Sequence, residues 1–201
     1  MKDLDGVFIT HTHFDHFDDE AIRLLPKDLE IFCAPHDVKK IRKAGFTKIT
    51  AIDGSAILYG DIQVKTAGGK HGTGVAGKLM GKNTGYVLKD MAQQKEEPSL
   101  YIVGDSIWCE DVAQTITREK PEVITLFAGA ARLPFGKAIT MDTGDIEQLA
   151  LAQPKAKVVA THMDTWSHCF LTRDKLKSFL KDKIYKNRVL IPNDGDSFVI
   201  N

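Results

Sequence analysis

Thr10-His11-Thr12-His13-Phe14-Asp15-His16 places four side chains of metal-ligating type within six residues. The segment follows Val7-Phe8-Ile9, a short apolar run that reads as a buried strand. Neutral imidazole suits zinc and similar borderline cations, and a carboxylate adds charge neutralisation. His11 and His13 lie two apart, so in extended backbone their side chains point the same way. Asp15 and His16 come after the chain turns and can face a second ion.

Outward from this cluster, short apolar runs alternate with helical patterns, the sign of an α/β domain. Asp18-Asp19-Glu20 opens a helix over residues 21–25, its acids favouring the positive end. Residues 31–34 read as a strand and residues 37–44 as a helix capped by Gly45. The runs 56–59 and 62–65 flank Gly60-Asp61, a hairpin signal. Residues 67–85 are rich in Gly and Lys and read as an exposed functional loop. Residues 85–89 and 100–103 read as paired strands joined by a polar turn at 93–98. Then follow helix 111–120, strand 123–127, helix 143–152, strand 158–160 and helix 173–180, with strands 189–191 and 198–200 at the end. Hairpins mixed with helix crossovers imply helices outside packed sheets. No repeat or long linker divides the chain, so residues 1–201 read as one domain.

Hydrophobic residues make up 43% and charged residues 27%, the balance of an ordinary globular protein. Lys+Arg and Asp+Glu both number 27, so the basic excess of a nucleic-acid-gripping protein is absent. The apolar runs are too short to cross a bilayer, and Met1-Lys2-Asp3-Leu4-Asp5 lacks the apolar core of a signal peptide. Cys33, Cys109 and Cys169 are far apart and odd in number, which argues against a disulfide framework and for buried or idle thiols in a reducing cytoplasm.

The opening cluster resembles the HxHxDH signature of the metallo-β-lactamase superfamily. Three further segments match that family in order. Gly68-Gly69-Lys70-His71-Gly72-Thr73-Gly74 resembles its Gly-rich third-histidine loop, Tyr101-Ile102-Val103-Gly104-Asp105 its bridging aspartate, and Val158-Val159-Ala160-Thr161-His162 its last histidine. The resemblance implies an αββα sandwich. It also implies two divalent cations, zinc first, with manganese or iron compatible with the same donors. His11, His13 and His71 would hold one ion, Asp15, His16 and His162 the other, and Asp105 would bridge them. Hydrolysis would then proceed by a water held between the ions, with Asp15 orienting it or relaying its proton. Members of the family place several strands before this signature, and ten residues precede it here. The resemblance therefore implies a domain short of its first N-terminal strands, with a sheet edge open to self-association.

Gly104-Asp105-Ser106-Ile107-Trp108, Phe127-Ala128-Gly129-Ala130-Ala131-Arg132 and the segment from Val159 to Trp166 are similar to the branch of the L-ascorbate-6-phosphate lactonases. That implies a small anionic lactone or ester as substrate, or a phosphodiester. Arg132 and Lys137 are candidates to bind its charge, with a solvated surface role as the alternative. His168 could reach substrate or buttress His162, and Asp164 could support a ligand or cap a loop. Trp108 could wall the pocket or pack in the core. Lys70, Lys78 and Lys82 give the Gly-rich loop a basic edge, and His36 reads as unrelated. Two other functions remain open: a metal-binding but catalytically impaired member acting through protein contacts, and a nucleic-acid-processing hydrolase, against which the balanced charge speaks.

Overall fold

The computed structural model describes residues 4–92, 99–134, 136–164, 166–197 and 199. Among the described residues, ten strands form two sheets. In the smaller sheet β1 (Gly6–Phe8), β2 (Glu30–Cys33) and β3 (Ile49–Ala51) run parallel in that order. The larger sheet has the order β10-β9-β8-β7-β6-β5-β4. Its strands are β4 (Ile57–Tyr59), β5 (Ile62–Ala67), β6 (Gly85–Asp90), β7 (Ser99–Ile102), β8 (Val123–Phe127), β9 (Lys157–Thr161) and β10 (Val189–Leu190).

Side-chain alternation on the strands sets the layers. On β2, Ile31 and Cys33 face outward to α1 (Asp19–Leu24) and α2 (Val38–Lys43), in a cluster with Ile41 and Phe46. Phe32 faces the other way and packs with Ile52, Val64 and Tyr86 between the sheets. On the far side of the larger sheet, Tyr101, Ile124, Leu126, Val158 and Ala160 meet α4 (Glu110–Glu119), α5 (Thr143–Ala152) and α6 (Arg173–Leu180). The order helix, sheet, sheet, helix is the expected αββα sandwich. Tertiary burial holds its short helices, because six residues are too few for an isolated helix. Ile41, the buried residue of α2, is 0% exposed, and its burial stabilises by roughly 2 kcal/mol.

Strand direction positions the site. β5 and β7 both run antiparallel to β6, and β7, β8 and β9 are mutually parallel. The C-terminal ends of β5, β7, β8 and β9 therefore share one edge, and β6 begins there. Thr84, just before β6, donates its N–H to Thr10 O at 2.9 Å, and the Tyr86 hydroxyl donates to Ile9 O at 2.7 Å. These bonds bring the end of β1, in the other sheet, to the same edge.

The hairpin forms as expected, with Tyr59 opposite Ile62 and Gly60 at φ +57° in the turn. The expectation of a loop throughout 67–85 is corrected: α3 (Gly74–Met80) lies inside it. Ala76 packs there against Ala131 and Ile139, and this burial outweighs the Gly and Lys content. The chain forms β3, which no apolar run announces. Strand 189–191 is shortened to Val189–Leu190. Of the final expected strand, Val199 is not in a strand, and residues 198 and 200 lie outside the described residues, as does the turn at 93–98. Among the described residues, no helix is long and apolar enough to cross a membrane.

Candidate metal centre

His11 and His13 follow β1, His71 follows β5, Asp105 follows β7, and His162 follows β9. The shared edge brings together all seven side chains singled out as ligands. Two donor groups result, His11 with His13 and His71, and Asp15 with His16, Asp105 and His162, each with its donor atoms within 4.8 Å of one another. The groups touch at Asp105. Its Oδ2 lies 3.2 Å from His71 Nε2, 3.8 Å from His11 Nε2 and 3.3 Å from His16 Nε2. Asp15 Oδ2 lies 3.6 Å from His162 Nε2 and 3.8 Å from His168 Nε2.

The donor set fits a metal. His11 Nε2, His16 Nε2, His162 Nε2 and Asp105 Oδ1 are buried without a hydrogen-bond partner among the described residues. Buried polar atoms left without partners are costly, and cations held by the two groups would satisfy all four. The outer nitrogens are already engaged. His71 Nδ1 lies 2.9 Å from Ile139 O, so that nitrogen carries the proton and Nε2 presents its lone pair. His11 Nδ1 lies 3.1 Å from Thr10 Oγ1, and His162 Nδ1 lies 3.9 Å from Cys169 Sγ. Cys169 is thus not an idle thiol.

Backbone geometry supports the same end. His162 sits at φ +59°, a left-handed conformation that non-glycine residues rarely hold. A Cβ on Gly129 would stand 2.7 Å from His162 O and 2.5 Å from Cys169 Sγ, so only glycine fits beneath them. Gly104, at φ +72°, lets the chain turn into Asp105, whose N–H donates to Asn83 Oδ1 at 3.0 Å. Asn83 Nδ2 donates to Val103 O at 2.9 Å. Asn83 is a supporting residue that no sequence motif announces.

Electrostatics without a cation divide the cage. Burial and the neighbouring His16 push the His11 imidazole down to about 3. Burial also lowers His71. At His162 burial opposes the charge, but Asp15, Cys169 and Asp105 outweigh it and push the imidazole up to about 10. Burial would raise Asp15, yet His162 and His16 hold its carboxyl below the usual carboxylate range.

The other candidates divide. His168 reaches the cage at Asp15, with its side chain 32% exposed. Arg132 is exposed, its guanidinium 5.7 Å from the centre of the Phe170 ring, and its side chain makes no ion pair with the cage among the described residues. Its backbone N–H donates to His168 O at 3.0 Å. Lys137 is exposed. Trp108 packs against the main core. Asp164 accepts from Arg173 N and Nη1, both at 3.1 Å, which ties the loop after His162 to α6. His36 Nε2 lies 3.4 Å from Asp37 Oδ2, behind the opening cluster.

Fold and cage together define a metallo-β-lactamase domain, and the Beta-lactamase superfamily domain matches residues 1–163. The chain is 35% identical over 201 residues to the UPF0173 protein YddR of Bacillus subtilis (strain 168), covering 98% of this chain and 77% of that protein. It is 30% identical over 173 residues to a UPF0173 metal-dependent hydrolase of Koribacter versatilis (strain Ellin345), covering 83% of this chain and 69% of that one. The chain belongs to the UPF0173 metal-dependent hydrolase family of the metallo-β-lactamase superfamily. Among solved structures, a possible metal-dependent hydrolase from Veillonella parvula DSM 2008 superposes with a TM-score of 0.89 at 34% identity, over 97% of this chain and 76% of that chain. An isothiocyanate hydrolase from Delia radicum gut bacteria superposes with a TM-score of 0.89 at 30% identity, over 98% of this chain and 77% of that chain.

Proposed function

We propose that this chain uses two divalent cations, zinc first, to hydrolyse a small uncharged carbon electrophile of the isothiocyanate class. The cage carries the reading: two donor groups meet at one carboxylate, and the buried Nε2 atoms of His11, His16 and His162 lack hydrogen-bond partners among the described residues. The similarity to an isothiocyanate hydrolase over nearly the whole chain supports the substrate class. In that reaction water adds across the central carbon of R–N=C=S, and the adduct breaks down to the amine RNH2 and carbonyl sulfide.

His11, His13 and His71 would hold one cation, and Asp15, His16 and His162 the other, with Asp105 between them. When bound, the cations supply Lewis acidity, acidifying water near neutral pH and polarising the attacked bond. Asp15 orients the attacking water and accepts its proton at a carboxylate oxygen. His168 Nε2, 3.8 Å from Asp15 Oδ2, is within reach to pass a proton toward the leaving nitrogen while its exposed edge keeps contact with solvent. Cys169, Ile139 and Thr10 fix three imidazole rings from behind, which limits the motion of the donors.

A second reading keeps the hydrolase and changes the substrate to a small anionic lactone, ester or phosphodiester. It draws on the segments around Asp105, Phe127 and His162, with Arg132 and Lys137 as anion binders. The exposed path of Arg132 over Phe170 favours the uncharged substrate. Elemental analysis paired with a panel of isothiocyanates, lactones and phosphodiesters separates the readings. The expected result is about two metal equivalents and isothiocyanate turnover that His13→Ala abolishes. Turnover of lactones or phosphodiesters alone selects the second reading. Metal without turnover selects an impaired member acting through protein contacts. Steeply salt-dependent RNA binding selects nucleic-acid processing.

A further inference from the structure

We infer that the mouth of the cage selects substrates by an apolar, preferably aromatic, substituent seated on the Phe14–Trp166 pair. This deepens the hydrolase reading above and rests on it.

Phe14 stands between the donors His13 and Asp15. His16 N and Phe17 N both donate to His13 O, at 3.1 and 2.9 Å, and close a tight turn around it. Phe17 is buried by that turn at 5% exposure, while Phe14 is left 66% exposed. Its ring meets Trp166 edge-on, with centroids 5.4 Å apart and planes at 86°. Trp166 belongs to the loop after His162, and its ring lies 6.1 Å from that of His168. The pair therefore joins the two loops that carry Asp15, His16 and His162.

An isolated exposed phenylalanine needs no explanation, but an aromatic pair on the rim of a donor cage does. An edge-on pair leaves ring faces free, and a flat apolar group can stack on them. The wall behind is apolar too: Phe127 stacks on His16 at 5.3 Å and on His162 at 5.0 Å. Among the described residues, no Lys or Arg side chain makes an ion pair or cation–π contact with Phe14, Trp166 or His168. The rim offers burial to an uncharged, apolar tail.

The test compares benzyl isothiocyanate with methyl isothiocyanate, which differ in the tail alone. The expected wild-type kcat/KM favours the benzyl compound by about tenfold or more. Phe14→Ala and Trp166→Ala each bring that ratio toward one, whereas Leu58→Ala, an exposed apolar residue on β4, leaves it unchanged. Equal kcat/KM for the two compounds in the wild type, or an unchanged ratio in both rim variants, overturns the inference and leaves the hydrolase reading intact. A wild type that turns over neither compound removes the isothiocyanate reading instead. Binding then decides the rim alone. In Trp108→Phe protein, Trp166 is the remaining tryptophan. Its fluorescence should respond to N-benzylurea at least tenfold more tightly than to N-methylurea. Equal binding of the two ureas overturns the inference.

Discussion

Thr12 separates two histidines that must point the same way, and its hydroxyl donates to the Asp37 carboxylate at 2.8 Å. Asp37 is 6% exposed and stands just before α2, at the same edge as the end of β1 because β1 and β2 are parallel. Lys40, one turn further along α2, donates to Thr12 O. One helix start thus grips both a side chain and a carbonyl of the residue between His11 and His13. Outer contacts of this kind typically change metal affinity by about 10–100-fold. Asp37→Ala and Thr12→Val should each weaken zinc binding by that amount in competition with a chromophoric chelator. Because they cut the same bond, the double variant should lose little more than either single one. Asp37→Asn keeps an acceptor for Thr12 and should retain most of the affinity. Wild-type affinity in Asp37→Ala would show that the grip plays no part in holding the metal.

At the scale of elements, what the sequence could reveal follows from how the donors are attached. His11, His71, Asp105 and His162 each lie within four residues of a strand end, and His13, Asp15 and His16 follow His11 in one run, so strands and ligands are close in sequence and readable together. Asn83, Ile139 and Cys169 support ligands from segments 22, 68 and 7 residues away, and only the sheet order brings them close. Asn83 is at the edge because β6 runs against both of its neighbours, and the pairing of β6 with β5 is marked by no tight turn between them. β3 escaped notice because Ile49-Thr50-Ala51 is short and no long apolar run marks it. The same edge dictates a glycine. β8 ends at Phe127, and Gly129 passes beneath Cys169 and His162 with no space for a methyl group. Gly129→Ala must push the Cys169 side chain and the His162 backbone away together. Overpacking of this kind destabilises by roughly 1–3 kcal/mol. It should lower the midpoint of thermal unfolding and remove the metal equivalent held by the Asp15 group. A variant with full metal content would show that the loop after β9 has room to shift.

Across the whole molecule, Glu119 ties the helical layer to the larger sheet. It ends α4, and its carboxylate receives Lys65 from β5 at 3.2 Å and Arg118 at 2.8 Å, with Lys89 of β6 at 3.3 Å. Its side chain is 4% exposed. Burial alone would raise this carboxyl, but Arg118, Lys65 and Lys89 outweigh it and push it down to about 2 from 4.5. An unfolded chain would take up a proton near 4.5, while the native Glu119 refuses one until about 2. The unfolded state therefore binds more protons in that window. The contribution of Glu119 is complete above about 4.5 and is lost as pH falls toward 2. Glu119→Gln should cost about 2 kcal/mol at neutral pH, since it removes the charge from hydrogen bonds to three cations. It should also flatten the decline in stability between pH 4.5 and 2. Urea unfolding at a series of pH values, on protein stripped of metal so that the cage adds no linked binding, measures both effects. If the variant and the wild type decline in parallel through that window, the carboxylate is not the group that joins these layers against acid.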